Sequence, residues 1–331
     1  MKRSLPLVVF FFTALLLGYL WFSERTRKVE MLKGALTISM ETSKARITEA
    51  IRLRLQVLKA AALHLERHVS EGTDIEDIFP IVTEPIHESL SEFRAINWID
   101  KEGVIKIISP KEGNEGALGK NVKNHPSYTV RAAFTEAEET GEYSFTGVID
   151  LFQGGKGVAS YFPVRKDGRI IGYLNGVFRI IPILRDALRG VEQGSIRIRG
   201  EGGDTIFGSE PDSAYLISSG IKLKNLHLRI DAWPDEKMIK RYLSGQNYLT
   251  LILFLLIALA LSLAVYELQR RYVHLKEKEY ELEESELRFR TLVEHSLGGV
   301  YLIQDGIFRY VNPRFCEIFG YSSDEIIDRM G

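Results

Sequence analysis

An α+β membrane protein is what this 331-residue chain predicts, and three observations carry the prediction. Tyr248 to Tyr266, YLTLILFLLIALALSLAVY, runs 19 residues without a charge. At about 1.5 Å per residue that reaches across the ~30 Å hydrocarbon core of a bilayer, with an interface-seeking tyrosine at each end. Leu5 to Phe22, LPLVVFFFTALLLGYLWF, is also free of charge. Between the two, residues 23–247 begin with a long helical stripe and continue as short strands with period-two alternation.

The first apolar run follows MKRS and ends in Tyr19, Leu20, Trp21 and Phe22 rather than in the small residues of a cleavage site, so it reads as an uncleaved anchor. Residues 1–4 are then a short cytoplasmic tail. Basic residues flank both sides of both spans: Lys2, Arg3, Arg270, Arg271, Lys276 and Lys278 on one side, Arg25, Arg27, Lys28, Lys237, Lys240 and Arg241 on the other. A loop longer than ~60 residues crosses largely regardless of charge, so the expected topology is two-pass in the cell (inner) membrane, residues 23–247 extracytoplasmic and both termini cytoplasmic. With 43 basic against 44 acidic residues no nucleic-acid partner is indicated. The one cysteine, Cys316, follows the second span, so the extracytoplasmic part is held by packing without disulfides.

Residues 28–70 predict a long helix: Ile47, Ile51, Leu55, Leu58, Ala62, Leu65 and Val69 form one apolar stripe, with charges such as Arg46, Glu49 and Arg52 between. The stripe suits packing on its own domain, on a second copy, or on both. A polar helical stretch continues to about Ser91, and the pattern then changes. FRAINWID, a turn at Lys101 to Gly103, and VIKIIS predict a hairpin over Phe93 to Ser109. A loop from Pro110 to Asn124 leads to a short helix from Pro126 to Glu139, stopped at Thr140-Gly141. Three strands follow, EYSFTGVIDLF, GVASYFPV and RIIGYLNGVFRI, parted by QGGKG and RKDG turns. Strand, strand, helix and three strands is the order of a PAS-like α/β domain over residues 71–184, an antiparallel sheet with helices and a ligand pocket between.

Thr140 to Leu184 resembles the CHASE domain, the extracytoplasmic module of cytokinin receptors and many bacterial sensors. The matching features are Thr140-Gly141, the strand with Thr146, the Val158 to Val164 strand ending in Phe162-Pro163-Val164, and Gly172-Tyr173-Leu174 leading to Gly176-Val177-Phe178. The long helix and the closing strand LHLRIDAWP extend the likeness over roughly residues 45–235, and the broader Cache superfamily shares its strand order. The resemblance implies a small-molecule ligand and no catalysis. It does not imply cytokinin: where the cytokinin-binding members carry an adenine-pairing aspartate, the nearest position here is Gly119. Strand alternation puts Ser160 with Phe162, and Tyr173 with Asn175, on common faces, and Asn97, Ser109, Tyr128 and Thr146 are further polar candidates. Each of these also fits an ordinary surface polar or hydrogen-bonded core residue.

Residues 185–235 predict a membrane-proximal subdomain with strands around SIRIRG, DTIFG, AYLISSG and LHLRID. Gly202-Gly203-Asp204 lacks the following Glu and Phe of a diguanylate cyclase signature, and Gln153 to Gly157 lacks the spacing of a phosphate-binding loop. Both read as turns. His64 and His68, four apart on the long helix, have no third ligand in view, and no metal is expected.

After the second span, residues 267–290 carry two rows spaced by seven, Leu268, Leu275, Leu282 and Phe289, and Val273, Tyr280 and Leu287. This reads as a signalling helix in a parallel homodimer, with a single solvated helix as the alternative. Residues 286–331 are similar to the start of a PAS domain: a hairpin turned at Asp305-Gly306, Asn312 capping a helix that begins at Pro313, Gly320 ending it, and Ser322 or Ser323 with Asp324 and Glu325 opening the next. Less than half of such a domain is present, so the sequence reads as a fragment. His295 lacks the surroundings of a kinase phosphoacceptor.

The resulting expectation is an α+β membrane receptor: a long N-terminal helix, a PAS-like antiparallel sensor domain, two transmembrane helices, a coiled-coil linker and an incomplete PAS domain. It resembles the input part of a two-component sensor histidine kinase. The alternatives are the input part of a diguanylate cyclase or phosphodiesterase and a non-catalytic membrane receptor. No cofactor is expected in this chain; ATP and Mg belong to a kinase domain beyond it, as does a response regulator partner. The remaining partners expected are a small-molecule ligand, a second copy and the lipid bilayer.

Overall fold

A computed structural model of the chain describes residues 4–151, 154–191, 194–243 and 248–330. Lys2 and Arg3 of the tail, Phe152 and Gln153 of the third expected strand and its turn, and Gly331 lie outside the described residues, as do 192–193 and 244–247. The fold is mixed helix and antiparallel sheet and divides into two compact units, residues 23–246 and residues 1–22 with 247–331.

The anchor and the long helix expected at 28–70 are one element, α1 (Leu5–Ser70). Gly34 does not interrupt it. Helix α2 (Ile75–Ser89) opens on Asp74, whose side chain accepts from the Glu76 N–H at 3.2 Å, and it tolerates Pro80 and Pro85 inside. The hairpin is β1 (Phe93–Asp100) with β2 (Ile105–Ser109). The loop after it contains two short 3-10 turns, Glu115–Ala117 and Val122–Asn124. Helix α3 (Tyr128–Thr140) ends on Gly141 at φ 65°, the left-handed value a β-carbon disfavours.

The strand expected over EYSFTGVIDLF is broken into β3 (Ser144–Phe145) and β4 (Ile149–Asp150). At the break Thr146 still donates its N–H to the Ala159 carbonyl at 2.9 Å, and its side-chain Oγ1 accepts the Ala159 N–H at 3.1 Å. A hydroxyl thus takes the place of a backbone acceptor where the chain bends. Next come β5 (Lys156–Lys166) and β6 (Arg169–Arg179), and then α4 (Ile180–Ala187), a helix the strand pattern does not anticipate. The sheet order is β2-β1-β6-β5-β3, with β4 also on β5, antiparallel throughout.

Both faces of this sheet are covered. Ile96, Trp98, Val158, Phe162, Leu174 and Phe178 pack with the α1 stripe, Ile47 to Leu65. Ala95, Ile99, Ala159, Tyr161 and Tyr173 pack with Val130, Ala133, Phe134 and Ala137 of α3. Two glycines of β6 set how closely the first layer approaches. A β-carbon on Gly176 would lie 2.3 Å from Leu58 Cδ1, and one on Gly172 would lie 2.3 Å from Trp98 Cζ2. Arg54 of α1 and Glu92, both nearly buried, form an ion pair beside this interface.

A second sheet, order β8-β7-β10-β9, comprises β7 (Ser195–Arg199), β8 (Thr205–Phe207), β9 (Ile217–Leu223) and β10 (Leu226–Trp233). Gly203 at φ 84° lies in the β7–β8 turn, as expected of Gly202-Gly203-Asp204. Ile198, Ile221, Leu228 and Ile230 join the core around α1, and Leu32 and Leu36 pack with Met238 of α5 (Glu236–Leu243). Between these apolar positions Asp231, with no exposed surface, meets Arg199 Nε at 2.8 Å and Arg197 Nη2 at 3.0 Å and accepts from Ser218 Oγ at 2.6 Å. Burial works against its charge, but the hydrogen bonds from Arg199, Ser218 and Arg197 outweigh that and hold the carboxyl below its ordinary value.

In the other unit the second span and the seven-residue repeat are one helix, α6 (Tyr248–Glu294). It and α1 are long and apolar enough to cross a membrane. Trp21 Nε1 donates to Thr250 Oγ1 at 3.2 Å, and Ser262 Oγ donates to the Pro6 carbonyl at 2.8 Å, so the two helices are tied at both ends of the apolar stretch. The C-terminal piece follows the expected pattern: β11 (Tyr301–Gln304) and β12 (Ile307–Val311) turn at Asp305 and Gly306, both at positive φ, and lead to α7 (Pro313–Phe319) and α8 (Ser323–Ile326). Buried Asn312 organises it. Its Oδ1 accepts from the N–H groups of Val300 and Phe315, and its Nδ2 donates to the carbonyls of Val293 and Gly298. The buried cluster beneath is small, Val311, Phe315 and Ile326.

Two predictions follow from these layers. Gly176→Ala is expected to destabilise the protein by about 1–3 kcal/mol through overpacking and Leu58→Ala by about 2–5 kcal/mol through cavity formation, yet the double variant matches Leu58→Ala alone because the clash is gone. Denaturant unfolding of the four proteins checks this; strict additivity would exclude the contact. For Asp231, a folded pKa below the unfolded value of about 3.9 means stability present above that value and lost as pH falls through the folded one. Asp231→Asn is expected to cost about 1.5–3 kcal/mol at neutral pH by weakening its hydrogen bonds to Arg199 and Ser218 and leaving Arg197 with Glu210 alone, and the gap to wild type narrows below about pH 4. Thermal unfolding across pH 3–8 measures it.

Candidate ligand-binding site

A cavity of about 60 Å³, partly open to solvent, lies on the α3 face of the first sheet, bordered by the loop after β2 and by β4. Its floor is the strand surface left where small side chains alternate toward α3: Ala159 on β5 and Val177 on β6. Ile105, Ala117, Val122 and Val130 form apolar walls, and Asp150 and His125 stand at polar positions. The floor also holds two buried amides, Asn97 of β1 and Asn175 of β6, opposite each other across the strand pair.

The amide pair has a fixed polarity. Asn175 Nδ2 donates to the Ser160 carbonyl at 2.9 Å, and Asn97 Nδ2 donates to Asn175 Oδ1 at 2.7 Å. Asn97 is 3% exposed, and its Oδ1 accepts no hydrogen bond from the described residues. An orphaned buried acceptor costs about 1–3 kcal/mol, a cost that a donor placed in the cavity removes.

Burial favours the neutral forms of His125, Tyr161 and Tyr173. Burial pushes the His125 pKa down, and its Nδ1 accepts the Ser127 N–H at 3.0 Å, which leaves the hydrogen of the neutral ring on Nε2. Burial raises the Tyr161 phenol and, with the nearby Glu138 charge, pushes Tyr173 up to about 12. Asp150, the one charged side chain on the lining, is exposed and 3.4 Å from Lys156.

The eight residues singled out in the sequence divide among several places. Asn97 and Asn175 line the cavity together, and Tyr173 shares their face, against Phe134. Ser160 and Phe162 share a face as alternation requires, but it is the opposite one: Phe162 is in the α1 core, and Ser160 Oγ donates to the Gly176 carbonyl at 3.0 Å. Thr146 is engaged with Ala159 at the β3–β4 break, away from the lining. Tyr128 is exposed, with Arg131 over its ring, and Ser109 pairs with Ile96 at the end of β2. Sequence reasoning missed Tyr161, Asn175's neighbour across β5 and β6, and His125. For Tyr161 the signal was present, since its odd-numbered position matches Asn97 and Asn175 once β5 is registered to β6. Gly119, at the position compared with the adenine-pairing aspartate, sits at φ 76° in the loop, its N–H donated to the Ile105 carbonyl at 2.9 Å.

A second polar cluster connects α3 to the other sheet. Glu136 accepts from Ser144 Oγ at 2.5 Å and Asn225 Nδ2 at 2.6 Å and pairs with Lys224 at 3.2 Å. Burial opposes its charge, and these three donors outweigh burial and hold the carboxyl below its ordinary value. His64 and His68 have their rings 4.6 Å apart, with His68 3.4 Å from Glu71. Among the described residues no group of three or more His, Cys, Asp or Glu side chains is placed to hold a metal ion.

Residues 83–205 match the CHASE domain, and residues 287–331 match a PAS domain. No curated protein matches the chain. Among solved structures, an extracellular ligand binding receptor from Desulfohalobium retbaense is similar over 60% of this chain, at 17% identity and a TM-score of 0.45, and the match spans 39% of that receptor. The ligand binding domain of the Pseudomonas aeruginosa amino acid chemoreceptor PctC, in complex with GABA, is similar over 61% of this chain and 99% of its own, at 13% identity and a TM-score of 0.47. The ligand-binding domain of the Pseudomonas fluorescens chemoreceptor CtaA, in complex with L-isoleucine, covers 66% and 99%, at 16% identity and a TM-score of 0.46. The chain thus contains a region that matches the CHASE domain, a region that matches a PAS domain, and two helices long and apolar enough to cross a membrane.

Proposed function

We propose that the chain is the input part of a two-pass sensor histidine kinase, which binds a small extracytoplasmic ligand on the α3 face of its CHASE-like sheet. The observation that carries this reading is the buried amide pair on the floor of a cavity inside the CHASE-matching region. In this reading residues 5–22 and 248–266 are the spans, 23–247 is the sensor, with a PAS-like core at 71–184 and a membrane-proximal part at 185–235, and both termini are cytoplasmic. The bilayer is the solvent for the outward-facing Phe11, Phe12, Leu15, Leu249 and Leu253.

Ligand binding favours one of two packings of the sensor, and the ligand's differential affinity supplies the free energy. The change leaves along α1 and α6. The ties Trp21–Thr250 and Ser262–Pro6 favour movement of the spans as a pair over sliding of one past the other. Leu268, Leu275, Leu282 and Phe289, exposed in the single chain, then form the seam of a parallel homodimer that hands the change to the PAS domain. ATP, Mg and a response regulator enter through the kinase core and use no residue described here. A cyclic-di-GMP enzyme or a receptor that recruits a partner would use the same input.

The seam is tested in a Cys316→Ser background. Cysteines at 268, 275 or 282 are expected to cross-link between copies in membranes several-fold faster than cysteines at 270 or 277, which face away from the seam, and equal rates would remove the dimer seam. The output is tested on the complete gene product incubated with ATP. Phosphate is expected on a histidine; cyclic-di-GMP formed from GTP instead would replace the kinase reading.

A further inference from the structure

The orientation of Asn97 is dictated from outside the cavity. The Ser160 carbonyl can only accept, so Asn175 must offer it the amide nitrogen and turn Oδ1 to Asn97; Asn97 must in turn offer its own nitrogen and leave Oδ1 as the unpaired end of the relay. Flipping either amide would set two acceptors or two donors against each other. Among the described lining residues the one orphaned buried acceptor is therefore Asn97 Oδ1, on a side chain 3% exposed. The remaining lining offers no cation to balance an anion. His125 is held neutral, and the one charged lining side chain, Asp150, is itself an anion. A carboxylate would lose its hydration and gain repulsion from both oxygens. On a scale of roughly 10–15 Å³ per water, the 60 Å³ cavity has room for about four to six solvent-sized groups.

We infer that this cavity takes a small molecule that presents an N–H or O–H donor to Asn97 Oδ1 and brings no carboxylate to the inner wall. An amide or an alcohol has that chemistry. The inference rests on the reading of the cavity as the ligand site.

Acetamide, acetone and acetate test it, since they share shape and size and differ in whether they donate or carry charge. Saturation-transfer NMR on the full chain in lipid nanodiscs is expected to show saturable binding of acetamide, with acetone and acetate at least tenfold weaker, and loss of the acetamide signal in Asn97→Leu. Ala117→Leu, which fills the cavity from the loop side, is expected to abolish binding of any probe. Acetate or acetone binding as well as acetamide would overturn the donor requirement while leaving the ligand site in place. Acetamide binding that survives Ala117→Leu would place the site elsewhere and overturn both. Binding of none of the three would mean that water alone satisfies Asn97, which also overturns the inference. The comparison among probes needs no variant, so it holds even where Asn97→Leu fails to fold.

Discussion

The packing of α1 against one face of the first sheet is the constraint on which the rest depends. A strand sends successive side chains to opposite faces, so once β6 gives Leu174, Gly176 and Phe178 to α1, Tyr173, Asn175 and Val177 must face α3. The glycines at 172 and 176 make the first allocation close-fitting, because a β-carbon at either would strike Trp98 or Leu58. A one-residue slip would put the two asparagines into the α1 core, with no cavity and no partner for the amides. Leu174 and Phe178 thus serve the α1 face, and the two asparagines are left to the face toward α3, where the cavity lies.

That division also separates two kinds of tie between the sheets. The α1 layer joins the two sheets through one continuous cluster, from Met40 and Ile47 to Ile230 and Ala232. The α3 layer has its own smaller cluster and is tied to the second sheet through Glu136, Ser144, Lys224 and Asn225. Polar ties of this kind hold a position through hydrogen-bond geometry rather than through interlocked side chains. Within the proposed reading, a ligand that shifts α3 changes the strain on the Lys224–Asn225 turn between β9 and β10, and β10 leads directly to α5.

Much of the fold was legible in the sequence because it rests on local signals. Alternation located β1, β2, β5 and β6; Gly141, Asp305-Gly306, Asn312 and Gly320 marked helix ends and a hairpin through the conformations they permit. The break at Thr146 was not legible, since it depends on a hydroxyl substituting for a backbone acceptor across the sheet. Nor was α4, where Ile180, Ile183 and Leu184 continue the apolar run of β6 and only tertiary contact decides between strand and helix. For the site, alternation gave the right pairs but not which face each pair served. Ser160 and Phe162 were grouped with Asn175 as candidates, although register places them on the other side. His125 was invisible because a loop, with no periodicity, brings it to the cavity.

The membrane helices acquire their meaning from the same accounting. An apolar helix in lipid gains little from meeting another, because lipid tails are as apolar as leucine, so polar contacts between spans have disproportionate influence on register. Such contacts among the described residues include an indole to a hydroxyl near one end and a hydroxyl to a carbonyl near the other. A single contact would permit pivoting about one point; two separated along the axis resist both sliding and swinging. Within the proposed reading, the movement these contacts leave open is a rotation or tilt of the pair together. In that reading α1 is the element that carries such a movement, one helix from Leu5 to Ser70 with apolar residues of the first sheet packed on its stripe.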